Sequence, residues 1–322
     1  MKFTHPALDW LLEDNNPGVR YLALKNLVEL SSDSEKLRAA KKQVYEKGPI
    51  ARVLKNMQPE GWWRNPNGGY SPKYFSGVWS LILLSQLGAS ASDDPRIETA
   101  CNYYLDHAIS KDGTISHNKT PSGTFDCLSG NMCAALTLLD YEDERLAGAY
   151  DWMARSQIGE VDKYYGIKCG PTFACSANGK KPCAWGAVKV LLALGLVPEK
   201  KRTPAMKKAI EVGAEFLLGV DPMTAAYPTT LSSKPNGDWW KFGFPVFYIT
   251  DLLQLTESLV RCGYGKDRRL KSTIDYIMSK QDADGRWALE YNYKDKTWGN
   301  YGEKKRPNKW VTYRALSLLK IL

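Results

Sequence analysis

Four cysteines that lie outside any apolar run are the residues best suited to chemistry. Cys169-x5-Cys175-x7-Cys183 occupies a stretch containing Gly, Asn and Pro, and Cys127 stands just before a hydrophobic segment. Thiolates bind zinc tetrahedrally, and three or four convergent cysteines suffice. The spacing is not the C-x2-C of zinc ribbons. Three readings stay open: a metal site with zinc as cofactor, reactive thiols or a disulfide, and structural thiols in a tight loop. Cys127 and Cys183 occupy similar places, each before an apolar helix, where a helix N-terminus lowers a thiol pKa. Cys101, Cys133 and Cys262 fall on or beside apolar helical stretches and read as small hydrophobes.

The elements that would position these residues form a repeat. Asp94-Pro95-Arg96-Ile97, Asp143-Glu144-Arg145-Leu146 and Asp267-Arg268-Arg269-Leu270 share one pattern. Each Ile or Leu is followed three residues on by Ala100, Ala149 or Thr273, and six residues on by Tyr103, Trp152 or Tyr276. That is helical spacing, with an acidic start to each helix. A weaker copy opens at Thr203-Pro204, and the earliest runs from Pro49 to Gln58. After each comes a polar, Gly-rich connection and a second, more apolar helix, expected near Phe75–Leu87, Leu128–Leu139, Ala184–Leu194, Val246–Val260 and Trp310–Leu319. Helices apolar all round are buried, and those with one apolar stripe lie outside them. The expected fold is all-α: an α/α toroid of about five helix-pair repeats over residues 49–322. Ahead of it, Asp14-Asn15-Asn16-Pro17-Gly18-Val19-Arg20 leads into Tyr21, Ala23 and Leu27. This resembles a HEAT-type helical hairpin, so residues 1–48 are expected to cap the array.

Composition bounds the remaining classes. Of 322 residues, 43% are hydrophobic and 25% charged, with 11 Trp and 18 Tyr. Such a chain can bury a large core and is neither disordered nor collagen-like. No uncharged apolar run reaches about 18 residues, so no membrane span is expected. The N-terminus lacks a signal-peptide h-region, and with seven cysteines this suggests a reducing, cytoplasmic setting. The net charge of +9 is scattered. Its densest clusters, Lys200-Lys201-Arg202, Lys207-Lys208 and Lys304-Lys305-Arg306, read as solvated surface. Attraction to an anionic substrate or a peripheral membrane contact is the alternative. No nucleic-acid-binding signature is present, so no such partner is expected. Nothing in the sequence speaks to oligomeric state.

Gln281-Asp-Ala-Asp-Gly285-Arg-Trp287 fits Q-x3-G-x-W, and Gln58-Pro-Glu-Gly61-Trp62-Trp63 is a shortened version. Degenerate copies occur at Gln157-Ile-Gly159 and Lys111-Asp112-Gly113. This resembles the QW motif of squalene and oxidosqualene cyclases and the related repeats of protein prenyltransferase β subunits, over about residues 49–322. Cys169-Gly-Pro-Thr-Phe-Ala-Cys175, Gly179-Lys-Lys-Pro-Cys183-Ala-Trp185-Gly186 and Trp240-Lys-Phe-Gly-Phe-Pro245 look similar to single-domain terpene cyclase/mutase-like proteins. The resemblance implies the toroid and a hydrophobic, isoprenoid-type small molecule as partner. The motif supports the fold and says little about the reaction.

Class II cyclases of that kind protonate an alkene or epoxide with a D-x-D-D acid at the start of an inner helix. This chain has no D-x-D-D, and Asp93-Asp94 reads as a helix cap. Two single aspartates are the catalytic candidates. Asp251 lies within Tyr248-Ile-Thr-Asp251-Leu-Leu, inside a helix expected over Pro245–Leu259, and Asp126 opens Asp126-Cys127-Leu128-Ser129-Gly130-Asn131. Asp251 is the better proton donor on this reading. The plain alternatives are an N-cap for Asp126 and a structural buried carboxylate for Asp251. Such an acid has to stay protonated, which needs burial and few competing donors. A carbocation needs aromatic walls. Trp79, Trp185, Phe244, Phe247, Tyr248 and Trp310 lie on or next to inner helices and are the substrate-binding candidates; ordinary core packing is the alternative for each.

No D-D-x-x-D is present, so class I magnesium chemistry is not expected. Prenyltransferase β subunits hold zinc with Asp, Cys and His. By that analogy His117 joins Cys127, Cys169, Cys175 and Cys183 as a metal ligand beside Asp126, although the D-x-C spacing is absent. The expected function is therefore a class II terpene cyclase-like protein, an isomerase or lyase. The alternatives are a zinc-dependent transferase-like protein and a non-enzymatic toroid that binds a hydrophobic ligand or a protein. The loop Asp221–Lys241 reads as a lid or binding element, and Tyr291–Asn308 as a cover for the cavity mouth, a binder of an anionic group or a solvated connection.

Overall fold

The structure is a computed structural model and describes residues 3–161, 170–230 and 234–322. The protein is all-α apart from one short hairpin. Its helices are α1 (Leu8–Leu11), α2 (Pro17–Leu22), α3 (Glu35–Glu46), α4 (Pro49–Leu54), α5 (Gly77–Gln86), α6 (Pro95–Ala108), α7 (Asp126–Leu138), α8 (Glu144–Gln157), α9 (Ala184–Leu196), α10 (Pro204–Leu218), α11 (Leu252–Leu259), α12 (Lys271–Ser279) and α13 (Lys309–Ile321). The hairpin joins β1 (Ala174–Cys175) to β2 (Lys181–Pro182), antiparallel.

Helices of two kinds alternate from α4 onward. In α6 the buried residues are Ile97, Ala100, Cys101, Tyr104, Leu105 and Ala108, a single stripe at helical spacing; α10 repeats it from Met206 to Leu218. By contrast α5 is buried at every position but Gln86, and α7 from Asp126 through Leu136. One apolar stripe suits a helix with water on its far side, and an all-round apolar surface needs neighbours on every side. The buried helices touch in chain order: α5 with α7, α7 with α9, α9 with α11, and α11 with α13. Contacts then run from α13 to α2, α2 to α3, α3 to α4 and α4 to α5.

Local chemistry repeats with the helices. Asp94, Asp143 and Asp267 each accept the backbone N–H of the Arg two residues on, at 3.0, 2.8 and 2.9 Å. That Arg turns back, its Nη2 lying 2.6, 2.7 and 2.7 Å from the same carboxylate. Each Asp thereby satisfies an N–H that the helix leaves unpaired and adds a charged bond. The Trp turns repeat too. The fully buried indoles of Trp63 and Trp287 donate to carbonyls ten residues earlier, Val53 at 2.9 Å and Ile277 at 2.7 Å. Gly61 and Gly285 make the turns with φ of +104° and +74°, a region that favours glycine.

Three segments differ from expectation. The residues from Pro245 to Thr250 are not helical, and α11 begins only after Asp251. Gln86 holds Val246 in place, accepting from its N–H at 2.8 Å and donating to its carbonyl at 2.6 Å. The described part of the Asp221–Lys241 loop is folded onto itself: Trp239 and Trp240 donate to Pro222 and Met223 carbonyls at 3.0 and 2.9 Å. The Tyr291–Asn308 connection is not solvated throughout. Tyr291, Tyr293, Trp298 and Tyr301 are buried, and Trp298 donates to Ser80 Oγ at 2.8 Å.

One contiguous core runs from Leu11 to Leu318. The N-terminal helices are part of it. A Cβ on Gly18 would lie 2.5 Å from the ring of Trp310, so only glycine lets α2 approach that closely. Among the described residues no helix is long and apolar enough to cross a membrane.

Candidate functional site

The starts of α7 and α9 lie side by side. A Cβ on Gly186 would stand 3.2 Å from Cβ of Asp126 and 3.8 Å from Cβ of Cys183. One turn further along, Gly130 rides on the α9 backbone; a Cβ there would lie 2.4 Å from the Lys189 carbonyl carbon. Two glycines therefore bring Asp126, Cys183 and Lys189 into one region.

Asp126 is the first residue of α7 and is 6% exposed. Its Oδ1 accepts from Gln157 Nε2 at 2.7 Å, and its Oδ2 has no formed hydrogen bond among the described residues. Burial pushes its carboxyl well above the usual carboxylate range; the Gln157 bond and the Gly170 backbone N–H oppose this, and the nearby Cys175 adds to it. Gln157 is fixed in turn by accepting the Phe173 N–H at 2.8 Å. This is the glutamine of the degenerate motif copy: where Gln281 meets the ring of His5 at 3.1 Å, Gln157 holds an acid. The segment that carries Phe173 is strained. Thr172 and Phe173 both have positive φ, +56° and +61°, at a cost of roughly 1–3 kcal/mol each.

Asp251 is arranged differently. It is fully buried and caps α11 by accepting the Gln254 N–H at 2.8 Å. It also takes both arms of Arg314, Nη1 to Oδ2 at 2.9 Å and Nη2 to Oδ1 at 3.0 Å. Both oxygens are occupied as acceptors. That is the geometry of a structural ion pair, and it leaves no oxygen free to donate to a substrate.

Cys127 donates to Tyr248 OH at 3.0 Å, and burial pushes its thiol up to about 11. Tyr248 hydrogen-bonds onward to Tyr70. Around Trp79 the ring centroids of Tyr74, Tyr70, Phe247 and Tyr248 lie at 5.1, 5.5, 5.7 and 6.1 Å. Tyr293 closes on Tyr74 at 4.6 Å and on Phe247 at 4.9 Å. Three expected aromatics, Trp79, Phe247 and Tyr248, thus converge beside Cys127. Tyr70, Tyr74 and Tyr293 join them from loops and escaped the sequence reading. Phe244 and Trp310 belong to another stack, 4.4 Å apart with Tyr301 against them, where α13 meets Gly18. Trp185 is half-buried in the first turn of α9.

Lys189 was also missed. It is fully buried, and its Nζ lies 2.5 Å from Gln254 Oε1. Burial lowers its pKa to about 7, against the pull of Asp251 and aided by Arg314. The sequence did carry a signal, a single charge inside the apolar run Ala184-Trp-Gly-Ala-Val-Lys189-Val-Leu-Leu.

Cys175 and Cys183 are free and half-buried on the hairpin and at the cap of α9. Cys169 lies outside the described residues. Among the described residues no three or more His, Cys, Asp or Glu side chains converge as a metal-binding group. His117 stacks on Phe125 at 5.2 Å and meets Tyr70 at 5.6 Å, while Cys127 is engaged by Tyr248. Two surface depressions, of about 430 Å³ by Asp151, Thr203 and Lys208 and about 470 Å³ by Asp221, Arg269 and Asp275, are lined by none of these site residues. Compared with models of known protein families the chain matches none, and no curated protein is significantly similar to it.

Proposed function

We propose that this protein is an α/α toroid carrying out acid-initiated chemistry on an apolar, isoprenoid-type molecule, with Asp126 rather than Asp251 as the proton donor. The carrying observation is the buried carboxyl of Asp126, its pKa raised by burial, at the start of α7 and beside Cys127, which joins the aromatic cluster through Tyr248. The chain of helix contacts from α5 through α13 and back by way of α2, α3 and α4 supports a closed ring. Free cysteines support a reducing, cytoplasmic setting.

The chemistry follows from the environment of each group. Gln157 fixes Oδ1 by donating to it and thereby points the acid proton to Oδ2. A carboxyl whose pKa is raised by burial favours its protonated form and is a weaker acid than an exposed one. It suits an epoxide oxygen or a departing hydroxyl, which accept a proton readily, better than an alkene carbon. The cation left behind would face Trp79, Phe247 and Tyr248, each ring worth about 0.5–2 kcal/mol without offering a base.

The test is incubation of the purified protein with terminal-epoxide derivatives of farnesol, geranylgeraniol and squalene, with products read by gas chromatography and mass spectrometry. The wild type is expected to open the epoxide. Asp126→Asn keeps the Gln157 bond and is expected to lose about 10²–10⁴-fold in rate with unchanged circular dichroism. Equal turnover by wild type and Asp126→Asn would remove Asp126 as the acid. Saturable binding without turnover would identify a non-enzymatic binder instead.

A further inference from the structure

We propose that Lys189 is an imine-forming lysine that takes an apolar aldehyde, one without an anionic group. Such a site needs an apolar molecule to reach the aromatic cluster, and to that extent it rests on the function proposed above. Lys189 stands in α9 between Val188 and Val190, all three fully buried. Its side chain crosses to α11, where Gln254 Oε1 accepts from Nζ at 2.5 Å. Among the described residues Lys189 forms no ion pair. The carboxylates that act on it are held by other cations, Asp251 by Arg314 at 2.9 Å and Glu257 by Arg261 at 2.9 Å.

An ammonium in this place would be buried with one neutral acceptor and no counter-ion, which is strongly unfavourable. The neutral amine needs only the acceptor it has. Burial accordingly lowers the Lys189 pKa to about 7; Arg314 adds to this, and Asp251, Cys127 and Glu257 oppose it. A lysine desolvated among apolar side chains is the form that attacks carbonyl compounds.

Two shared elements place the amine beside the aromatic cluster. Gly130 of α7 lies against the Lys189 carbonyl, and the next residue, Asn131, donates to the Phe247 carbonyl at 3.2 Å. Gln254, which holds the amine, follows Tyr248 by six residues. Tyr70, Tyr74 and Tyr248 are half-buried, so the cluster reaches the surface while the amine does not. A charged carbonyl compound is disfavoured at Lys189, because the buried guanidinium near it, Arg314, is already paired with Asp251.

The step needs no further reagent. An amine that donates one N–H to Gln254 keeps its lone pair for attack. Nζ bonds to the carbonyl carbon, and the π pair of the C=O bond moves to oxygen, which takes a proton. The nitrogen lone pair then closes the C=N bond as the C–O bond breaks. The oxygen leaves as water with the two protons the nitrogen gives up. Nothing is oxidised or reduced.

The experiment incubates full-length protein near neutral pH with farnesal and sodium cyanoborohydride, which reduces an imine to a stable secondary amine, and maps tryptic peptides. An alkylated Lys189 resists trypsin, so residues 181–200 are expected as one peptide carrying the farnesyl group. An exposed lysine is only about one part in 10³ neutral near pH 7.5, so Lys189 is expected to be labelled about tenfold or more above any other lysine. Lys189→Met is expected to lose this adduct with unchanged circular dichroism. Pyridoxal phosphate, an anionic aldehyde, is expected to label exposed lysines and not Lys189. Absence of a farnesal adduct at Lys189 in folded wild type overturns the site, and equal labelling by pyridoxal phosphate overturns the apolar class. Because adducts are mapped in the wild type, misfolding of the variant does not shield the idea. Epoxide opening without the adduct counts against Lys189 alone, and the adduct without epoxide opening counts against Asp126 alone.

Discussion

Asp126 and Asp251 are both buried aspartates at helix starts, and they meet different partners. Arg314 and the cap bond occupy both oxygens of Asp251. Asp126 meets only neutral donors, the Gln157 amide and the Gly170 backbone N–H, and otherwise loses its water. Lys189 is the counterpart among the cations, buried against the amide of Gln254. In the unfolded chain it carries a proton up to about pH 10.5, and in the folded chain only to about pH 7. Between those values the unfolded state binds more protons, so this residue makes stability rise with pH across that window. Below it the penalty for burying the charge is fully present. Lys189→Met is therefore expected to remove that slope and to raise stability at pH 7 and below by on the order of 2 kcal/mol. Urea titrations of both proteins across the window check this. An identical slope in the variant would show that Lys189 does not lose its proton on folding.

The helices are specified twice, by their stripes and by their ends. The Asp-x-Arg caps and the Trp turns recur with nearly the same bond lengths in different repeats. Where a repeat departs from the pattern, its residue takes a new task, as Gln157 does. The α7–α9 seam is the most demanding contact, since Gly130 leaves no room for a methyl against the Lys189 carbonyl. Gly130→Ala is expected to force the helices apart and cost about 1–3 kcal/mol. The drop in melting temperature measures it, and an unchanged value would mean that the seam relaxes freely. The same seam sets the spacing of Asp126 from Cys183, so the variant also tests how tightly that region is held.

Across the molecule, the N-terminal helices share the main core and link α13 to α4. Gly18 packs against Trp310 and Pro49, and Lys309 pairs with Glu13 at 2.8 Å. Removing residues 1–48 would strip the cover from Trp310 and leave Lys309 without its acid. The full chain is expected to unfold in one cooperative transition, and the truncated chain to lose its near-ultraviolet circular dichroism. A separate early transition in the intact protein would make the N-terminal segment an independent unit.

The amino-acid order was enough for the all-α class, the alternation of striped and all-round apolar helices, the Asp-led helix starts and the Gly-Trp turns. These depend on spacing within a few residues, where a stripe or a cap is a local matter. It misjudged the start of α11, because Gln86, far away in the chain, holds Val246 out of a helix. It did not reveal the partner of Asp251, because Arg314 is contributed by another helix. It overlooked Tyr70, Tyr74 and Tyr293, which arrive from loops, and it grouped Phe244 and Trp310 with a wall they do not join. Whether a buried group keeps its proton depends on the few atoms around it, and packing between distant segments chooses those atoms.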